Sequence, residues 1–336
     1  MPLSRNGGAK LLLFCRPDKL FGVFVLLFSD FCVILATEMK KDTLSILIPT
    51  YNGDCRATVD ELRRQAEIVS SLDYEIIVID DGSPDRQTVE QLRSVGKLPH
   101  CRFMALEENI GRSRIRNLLA RTARHEWLLF LDCDMTICKP DFLMTYLSTE
   151  GDVIYGGYKV GEADRSCLRY RYEIAHAHEH TAERRRQRPY QHFHTSNFMV
   201  RRDIMLAHPF DETFRHYGYE DVLLGKQLKK AGIAITHIQN PAGFCDFEDN
   251  AHFVSKTEEG LRTLAEKRDL LRGYSQLLTF AEGIHSGLLR GAIRLWHRLF
   301  GGLERRILCS RHPSLRVFSF YKLGYFLCLP TAKKSQ

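Results

Sequence analysis

From Leu44 onward, short apolar runs alternate with stretches in which apolar residues recur at helical spacing. Residues 44–48, 74–79, 101–106 and 127–131 are too short to be buried helices, and 74–79 is β-branched, so each predicts a strand. Residues 56–71, 87–95 and 111–124 predict helices; in the last, Ile115, Leu118, Leu119 and Thr122 fall on one face. Four apolar strands separated by three helices make a βαβαβαβ unit. That predicts a mostly parallel sheet with helices on both faces.

Ligands of open α/β sheets bind outside the carboxyl ends of the strands. The four strands are followed by PTYNGD, DDGSPD, EENIGRSRIRN and DCDM, so all four send polar residues to one rim. Taken singly, each has a plainer reading: an Asp/Gly turn, a helix start with solvated arginines, a solvated D-x-D loop. Four in register on one rim are harder to dismiss. Arg112 and Arg116 are four apart at a helix start, on one face and beside free backbone N–H groups, where an anion would sit. Asp132 and Asp134 directly follow a buried strand, and there two carboxylates flanking Cys133 can converge on one hard divalent cation.

Composition narrows this picture. A chain of 336 residues with 44% hydrophobic content can build one large domain with an appendage, or two domains. Ten cysteines without a CxxC pair or a regular framework predict a reducing compartment, the cytosol. The formal net charge of +7 is uneven, since residues 261–336 hold fourteen Lys or Arg against four Asp or Glu. In that segment Leu288, Ala292, Leu295, Leu299, Leu303 and Ile307 repeat at helical spacing. Trp296 and Phe300 lie alongside, with Arg290, Arg294 and Arg298 on another face. This predicts an interfacial helix on anionic lipid; a helix packed on the main domain, broken at Gly301 and Gly302, is the alternative. A basic tail would also suit nucleic acid, but the apolar stripe points to lipid and to no nucleic-acid partner.

Two further segments keep two readings each. Residues 20–36 are a nearly continuous apolar run, interrupted by Asp30, after Arg5, Lys10, Arg16 and Lys19. They predict an N-terminal anchor, whose charge bias would place the rest of the chain outside the cytosol, or else an extension upstream of a natural start at Met39. His176, His178 and His180 precede Arg184, Arg185, Arg186 and Arg188. Only His176 and His180 would share a helix face, a poor zinc site, and the arginines predict a mobile basic segment over the active site or a solvated face.

The ordered set SILIPTYNG, EIIVIDDGSPD, ENIGRSRIRNLLA, LLFLDCDM, TSNFMVRRD, YGYEDVLLGKQLKKAG and HIQNP resembles the family 2 glycosyltransferases of GT-A fold, of the type that extends bacterial surface polysaccharides. No single piece is specific; their order and spacing are. The resemblance covers residues 44–250 and implies a GT-A α/β domain there, Rossmann-like, between a hydrophobic extension (1–43) and a helical, basic, amphipathic, membrane-associating region (251–336).

Carried over by position, it implies that Pro49, Thr50, Tyr51 and Asn52 border the nucleotide and that Asp81, with Asp80, contacts the uracil or ribose. Arg112 and Arg116 would hold the base or phosphate side. Asp132 and Asp134 resemble the DxD pair, with Asp134 directly on Mn²⁺ or Mg²⁺; Cys133 departs from the usual pattern in a place that need not touch the metal. The acceptor hydroxyl needs a base on the face away from the phosphates. Asp221 is taken as that base and Glu220 as an acceptor or sugar contact, although an acidic helix cap would look the same. Gly156, Gly157, Thr195, Ser196 and Asn197 would line the sugar or acceptor pocket, and His237 would be a further metal ligand or a core histidine.

The implied function is inverting, metal-dependent transfer from a nucleotide sugar, a UDP-sugar, to a hydroxyl of a glycan or lipid-linked acceptor at the inner membrane face. A nucleotidyltransferase would want a glycine-rich basic loop after the first strand, of which PTYNGDCR is a poor version. A catalytically inactive glycan-binding or assembly protein is the other alternative; it would have no use for Asp132, Asp134 and Asp221, which argues against it.

Overall fold

The computed structural model describes residues 41–330, so the N-terminal apolar run and its two readings lie outside the described residues. The chain begins with β1 (Thr43–Thr50), α1 (Arg56–Ile68), β2 (Asp73–Asp80), α2 (Arg86–Leu92), β3 (Cys101–Ala105), α3 (Arg112–Thr122) and β4 (Trp127–Leu131). These are the four strands and three helices that the apolar pattern predicts. β5 (Met135–Ile137), α4 (Phe142–Ser148), β6 (Val153–Tyr155), β7 (Tyr158–Val160), α5 (Leu168–His176) and α6 (Ala182–Gln187) follow. β8 (Asn197–Arg201), α7 (Arg202–Ala207), α8 (Glu220–Lys230), β9 (Ile235–His237) and β10 (Ala242–Phe244) complete the α/β part.

Seven strands form the main sheet in the order β3-β2-β1-β4-β8-β6-β9. β1 is parallel to both β2 and β4, and β8 runs antiparallel between β4 and β6. β2 and β4 are almost wholly buried, as strands covered on both faces must be. The order reverses after β3, where the chain returns to lay β4 beside β1. This topological switch point is where such sheets open a crevice for ligands. The loops after β1 and β4 meet across it: a Cβ added at Gly53 would lie 2.7 Å from Cys133 Sγ. A small second sheet, β5-β10-β7, stands beside the crevice.

Five helices complete the described chain: α9 (Asn250–Glu266), α10 (Arg268–Leu271), α11 (Gln276–Gly283), α12 (Gly287–Leu308) and α13 (Leu315–Cys328). Leu261, Leu264, Leu271, Leu278 and Phe326 from this set share a core with Phe214 and with Leu223 of α8. Val254, Leu308, Phe318 and Tyr321 share another with Leu168 of α5. Gly301 and Gly302 do not break α12. A Cβ at Gly301 would press to 3.0 Å on the His297 ring, so the missing side chain there admits a ring on the helix's inner face. α12 buries only Gly301, Glu304 and Leu308, and leaves most of its apolar residues exposed. The eight cysteines of the described residues are free thiols.

Candidate active site

Three rim loops are locked to one another before any ligand is considered. Thr50 Oγ1 donates to the Gly53 carbonyl at 2.8 Å, and Asn52 takes a left-handed φ of 53°. The Asn52 amide donates to Ser83 Oγ at 2.7 Å, while the Ser83 amide and hydroxyl both donate to the Asp80 carboxylate. Asp80 is 1% exposed. The expectation that it borders the nucleotide is therefore corrected: it fixes the shape of the first two loops from inside.

Asp81 accepts from the amides of Ile110 and Gly111 at 2.8 and 3.1 Å, tying the second loop to the start of α3. Burial, with the charge of Asp80 adding to it, raises the Asp81 carboxyl despite those two donors. Pro49, Thr50 and Tyr51 lie on the rim strand end, with Tyr51 49% exposed and free to face a planar group.

The α3 N-terminus brings two arginines to this rim. Arg116 is buried and its Nη2 donates to Asp132 Oδ1 at 2.6 Å, while its Nη1 lies 3.8 Å from Glu220. Arg112 is more exposed, 3.8 Å from Glu220 and stacked over Tyr217 at 4.9 Å. Burial opposes the Arg112 charge, but Glu220 and Asp132 outweigh it and push its pKa up. Among the described residues the Arg116 Nε has no hydrogen-bond partner. Asp132 and Asp134 sit on the turn after β4, closed by the Met135 amide donating to the Asp132 carbonyl at 3.1 Å. Burial and the neighbouring Asp132 push the Asp134 carboxyl up to about 6.

This donor set can be tested against a divalent cation. One carboxylate is crowded by another, which a hard cation would relieve, and Mg²⁺ or Mn²⁺ commonly takes one or two carboxylates and completes its shell with phosphate and water oxygens. No group of three His, Cys, Asp or Glu able to hold a metal occurs among the described residues. The residues present therefore fit an ion held by Asp134 and Asp132 together with a diphosphate, and do not fit an ion caged by protein alone.

α8 starts at the opposite side of the crevice. Gly218 and Tyr219 take left-handed φ values of 97° and 71°, which turn the chain sharply into the helix and aim its first two residues inward. Glu220 is buried against the two arginines, and burial raises its carboxyl. Asp221 Oδ2 bonds His194 Nδ1 at 2.9 Å, and its Oδ1 accepts from the Val222 amide at 2.7 Å. Burial would raise Asp221, but His194 outweighs it and holds the carboxyl below its ordinary value. The His194 partner was not foreseen. The one signal for it was the position of His194 just before Thr195, Ser196 and Asn197, on the approach to a strand that begins at the crevice.

Three expectations on the sugar side are corrected. Asn197 is fully buried and its amide is used up: Oδ1 accepts from the Tyr146 hydroxyl at 2.8 Å, and Nδ2 donates to the carbonyls of Gly157 and Asn240 at 2.7 and 3.0 Å. Gly156 is a packing glycine, since a Cβ there would sit 2.3 Å from the Tyr146 hydroxyl. Gly157, with φ of 83°, is closed off by the Arg185 guanidinium. Thr195 is buried, and the Ser196 carbonyl accepts from the Asp132 amide at 3.0 Å, which ties this segment to the aspartate turn.

His237 is corrected too. Its Nε2 donates to the Pro189 carbonyl at 2.9 Å and its Nδ1 accepts from Arg185 at 3.2 Å, so no ring nitrogen is left for a metal. Burial pushes it down to about 4.

Nor is Arg185 part of a mobile basic segment. Its guanidinium is buried and donates to the carbonyls of Tyr155, Gly156, His180 and Ile238 as well as to His237. Arg184, Arg186 and Arg188 are exposed. α5 ends at His176, so His176 and His180 share no helix face, and His180 bonds the Tyr158 hydroxyl at 2.8 Å. Replacing Arg185 by Met would remove the side-chain donor from the His180 and Ile238 carbonyls and from His237, and one of two donors from the Tyr155 and Gly156 carbonyls. The expected loss is about 3 kcal/mol or more in urea unfolding, and a loss below about 1 kcal/mol would contradict this account.

Residues 45–207 match the family described as Glycosyl transferase family 2. An uncharacterized glycosyltransferase of Haemophilus influenzae is 38% identical over 91 residues, which is 27% of this chain and 29% of that protein. The poly(ribitol-phosphate) beta-N-acetylglucosaminyltransferase TarP of Staphylococcus aureus is 30% identical over 135 residues, 38% of this chain and 39% of that protein. The chain thus matches well under half the length of these relatives. Among solved structures, S. aureus TarS 1–349 in complex with UDP aligns with a TM-score of 0.46 at 18% identity, covering 84% of this chain and 89% of that one. The mannosyltransferase PcManGT of Pyrobaculum calidifontis, in complex with GDP-Man and Mn²⁺, aligns at 0.47 and 12% identity, covering 91% and 93%.

Proposed function

Because residues 45–207 belong to glycosyltransferase family 2, we propose that this chain transfers a sugar, with inversion, from a nucleotide-sugar donor, a UDP-sugar, to a hydroxyl of a glycan or lipid-linked acceptor. One observation carries the reading: the Asp132–Asp134 turn from β4 and the Glu220–Asp221 helix start from α8 face one crevice, joined through Arg116 and Arg112. That supports a site with a diphosphate end and a basic end.

The donor would lie along the switch point, its base beside Tyr51 and Asp81 and its phosphates toward Arg112 and the α3 N-terminus, whose free N–H groups favour an anion. Asp134 and Asp132 would hold Mn²⁺ or Mg²⁺, which supplies Lewis-acid stabilisation of the charge on the departing diphosphate. Arg116 holds Asp132 in place through its Nη2 contact. Glu220, held by both arginines, orients sugar or acceptor hydroxyls, and Asp221 supplies the basic end of the acceptor site. Direct attack from that end, opposite the diphosphate, inverts the anomeric centre.

The test is a panel of UDP-, GDP- and dTDP-sugars with Mn²⁺, read by thermal shift and by slow donor hydrolysis. Stabilisation by one nucleotide class supports the reading and names the class. No nucleotide response in a folded protein would sink it.

We also propose that α12 lies on an anionic membrane surface. No helix among the described residues is long and apolar enough to cross a membrane. Yet Leu288 is 89% exposed, Leu299 67% and Leu295 57%, and Trp296 and Leu303 continue the same stripe, with exposed Arg298 and Arg306 at its margins. Each buried leucine contributes about 1.5–3 kcal/mol, so Leu295→Ser with Leu299→Ser is expected to weaken binding to phosphatidylglycerol-containing vesicles at least tenfold in flotation. Equal binding of the double variant, or equal binding to phosphatidylcholine alone, would count against the surface.

A further inference from the structure

Resting on the transferase reading, we propose that the proton of the acceptor hydroxyl goes to Nε2 of His194, with Asp221 as the group that orients and charges the ring. The carrying observation is geometric. His194 Nδ1 is engaged by Asp221 Oδ2 at 2.9 Å, while no hydrogen bond among the described residues reaches Nε2, and the His194 side chain is 38% exposed at the crevice. A histidine held at one nitrogen by a half-buried carboxylate, with the other nitrogen open to the site, is the geometry of a general base whose conjugate acid the carboxylate stabilises. The alternative acceptor, Asp221 itself, is compromised: each of its oxygens already accepts a hydrogen bond, and its carboxyl is held low, which makes it a weak base.

The ring is fixed from other directions as well. Tyr155 of β6 and Tyr158 of β7 each lie edge-on at 6.2 Å between centroids, and His180 lies at 6.4 Å. The charged and titratable groups facing it besides Asp221 are Glu173 of α5, Arg185 of α6, His180 and His192. Burial lowers His194, but Asp221 first and Glu173 second outweigh it, and Arg185 only partly opposes them, so its pKa lies above the ordinary value. Burial pushes His180 down to about 3, so it adds no charge in the working range.

In the step, the acceptor O–H bond breaks and its proton passes to Nε2. The oxygen lone pair forms the new bond to the anomeric carbon. The bond from that carbon to the diphosphate oxygen breaks, its electron pair leaving with the diphosphate. His194 ends as imidazolium beside the Asp221 carboxylate, and solvent removes the proton at its exposed edge.

The base must be neutral, so the rate falls as pH falls through the raised His194 pKa. Hydrolysis of a UDP-sugar with Mn²⁺, water standing as acceptor, is measured from about pH 5 to 8 in wild type, His194→Asn and Asp221→Asn. In His194→Asn the introduced side-chain amide can still donate to Asp221 from near the Nδ1 position but offers nothing at Nε2. The expected result is an acid limb in wild type, lying higher than an ordinary histidine would give, and a loss of at least about 100-fold in His194→Asn with that limb gone. Near-wild-type turnover in His194→Asn, or a flat wild-type profile, would overturn the proposal and leave Asp221 as the direct base. Nucleotide-induced thermal shift, measured on the same proteins, reports on the donor site alone and so separates failure of the transferase reading from failure of this one.

Discussion

Asp221→Asn is expected to lower turnover of the nucleotide-sugar donor about 10³-fold, roughly 4 kcal/mol in the barrier, while donor binding and the fold persist. The size follows from what Asp221 touches. Among the described residues it is the only carboxylate bonded to His194, at 2.9 Å, and it sits at the second position of α8, where the helix N-terminus favours negative charge. An asparagine of equal size keeps the packing but can present its NH₂ to Nδ1, which would place the ring proton on Nε2, the wrong nitrogen for a base. The loss should therefore fall on kcat and leave the nucleotide-induced thermal shift unchanged. A variant with more than a tenth of wild-type turnover would remove Asp221 from the acceptor chemistry. The His194 titration, followed by NMR, should also move down in Asp221→Asn, because the bond and charge that hold it up are gone.

The parts of this site that could be read from the sequence are those whose signal is local. β1, β2 and β4 announce themselves as apolar runs because both of their faces are buried, whereas β3 is a half-open edge strand read from its short apolar run alone; the polar residues after the four must then lie on one rim. Arg116 contacts Asp132 and Glu220, and Arg112 lies 3.8 Å from Glu220, so residues from three separate motifs meet on this rim. What could not be read depends on contacts made by topology. His194 and Asp221 are 27 residues apart and meet only because the segment entering β8 and the start of α8 converge on the crevice.

Arg185 lies in a run of four arginines that looks solvated; its burial goes with the carbonyls that end β6 and follow β9, to which it donates, and no periodicity reveals them. Gly156 and Asn197 follow the same logic. Polar or flexible residues beside a strand end look like pocket lining, yet here they satisfy a core knot with Tyr146 and Asn240. Strands β5, β6, β7, β9 and β10 have three residues each, too few for an alternation to register.

Asp134→Asn should move donor binding and stability in opposite directions. The Asp134 carboxyl is pushed up to about 6 by burial and by Asp132 on the same turn, so in the metal-free protein near pH 7 its charge works against the fold. The sign follows from the raised pKa: the folded state binds the proton more tightly than the unfolded chain, so this group's contribution worsens as pH rises through about 4 toward 6. The amide removes the repulsion, and the metal-free variant is expected to be more stable than wild type near pH 7 by about 1–2 kcal/mol, with no such advantage below about pH 4. The same substitution removes the carboxylate best placed for a hard cation, so Mn²⁺-dependent stabilisation by the nucleotide should vanish and turnover should fall at least about 100-fold. Wild type has the inverse pattern: cation and diphosphate together replace the missing positive charge, and their binding releases a proton and weakens as pH drops. Such a pairing, a carboxylate that destabilises the empty fold and is offset by its ligand, is what a binding site built from like charges must show. If Asp134→Asn lowers the stability of the metal-free protein, or keeps its Mn²⁺-dependent nucleotide response, the ion is held elsewhere, and the turn after β4 has a structural role in place of a catalytic one.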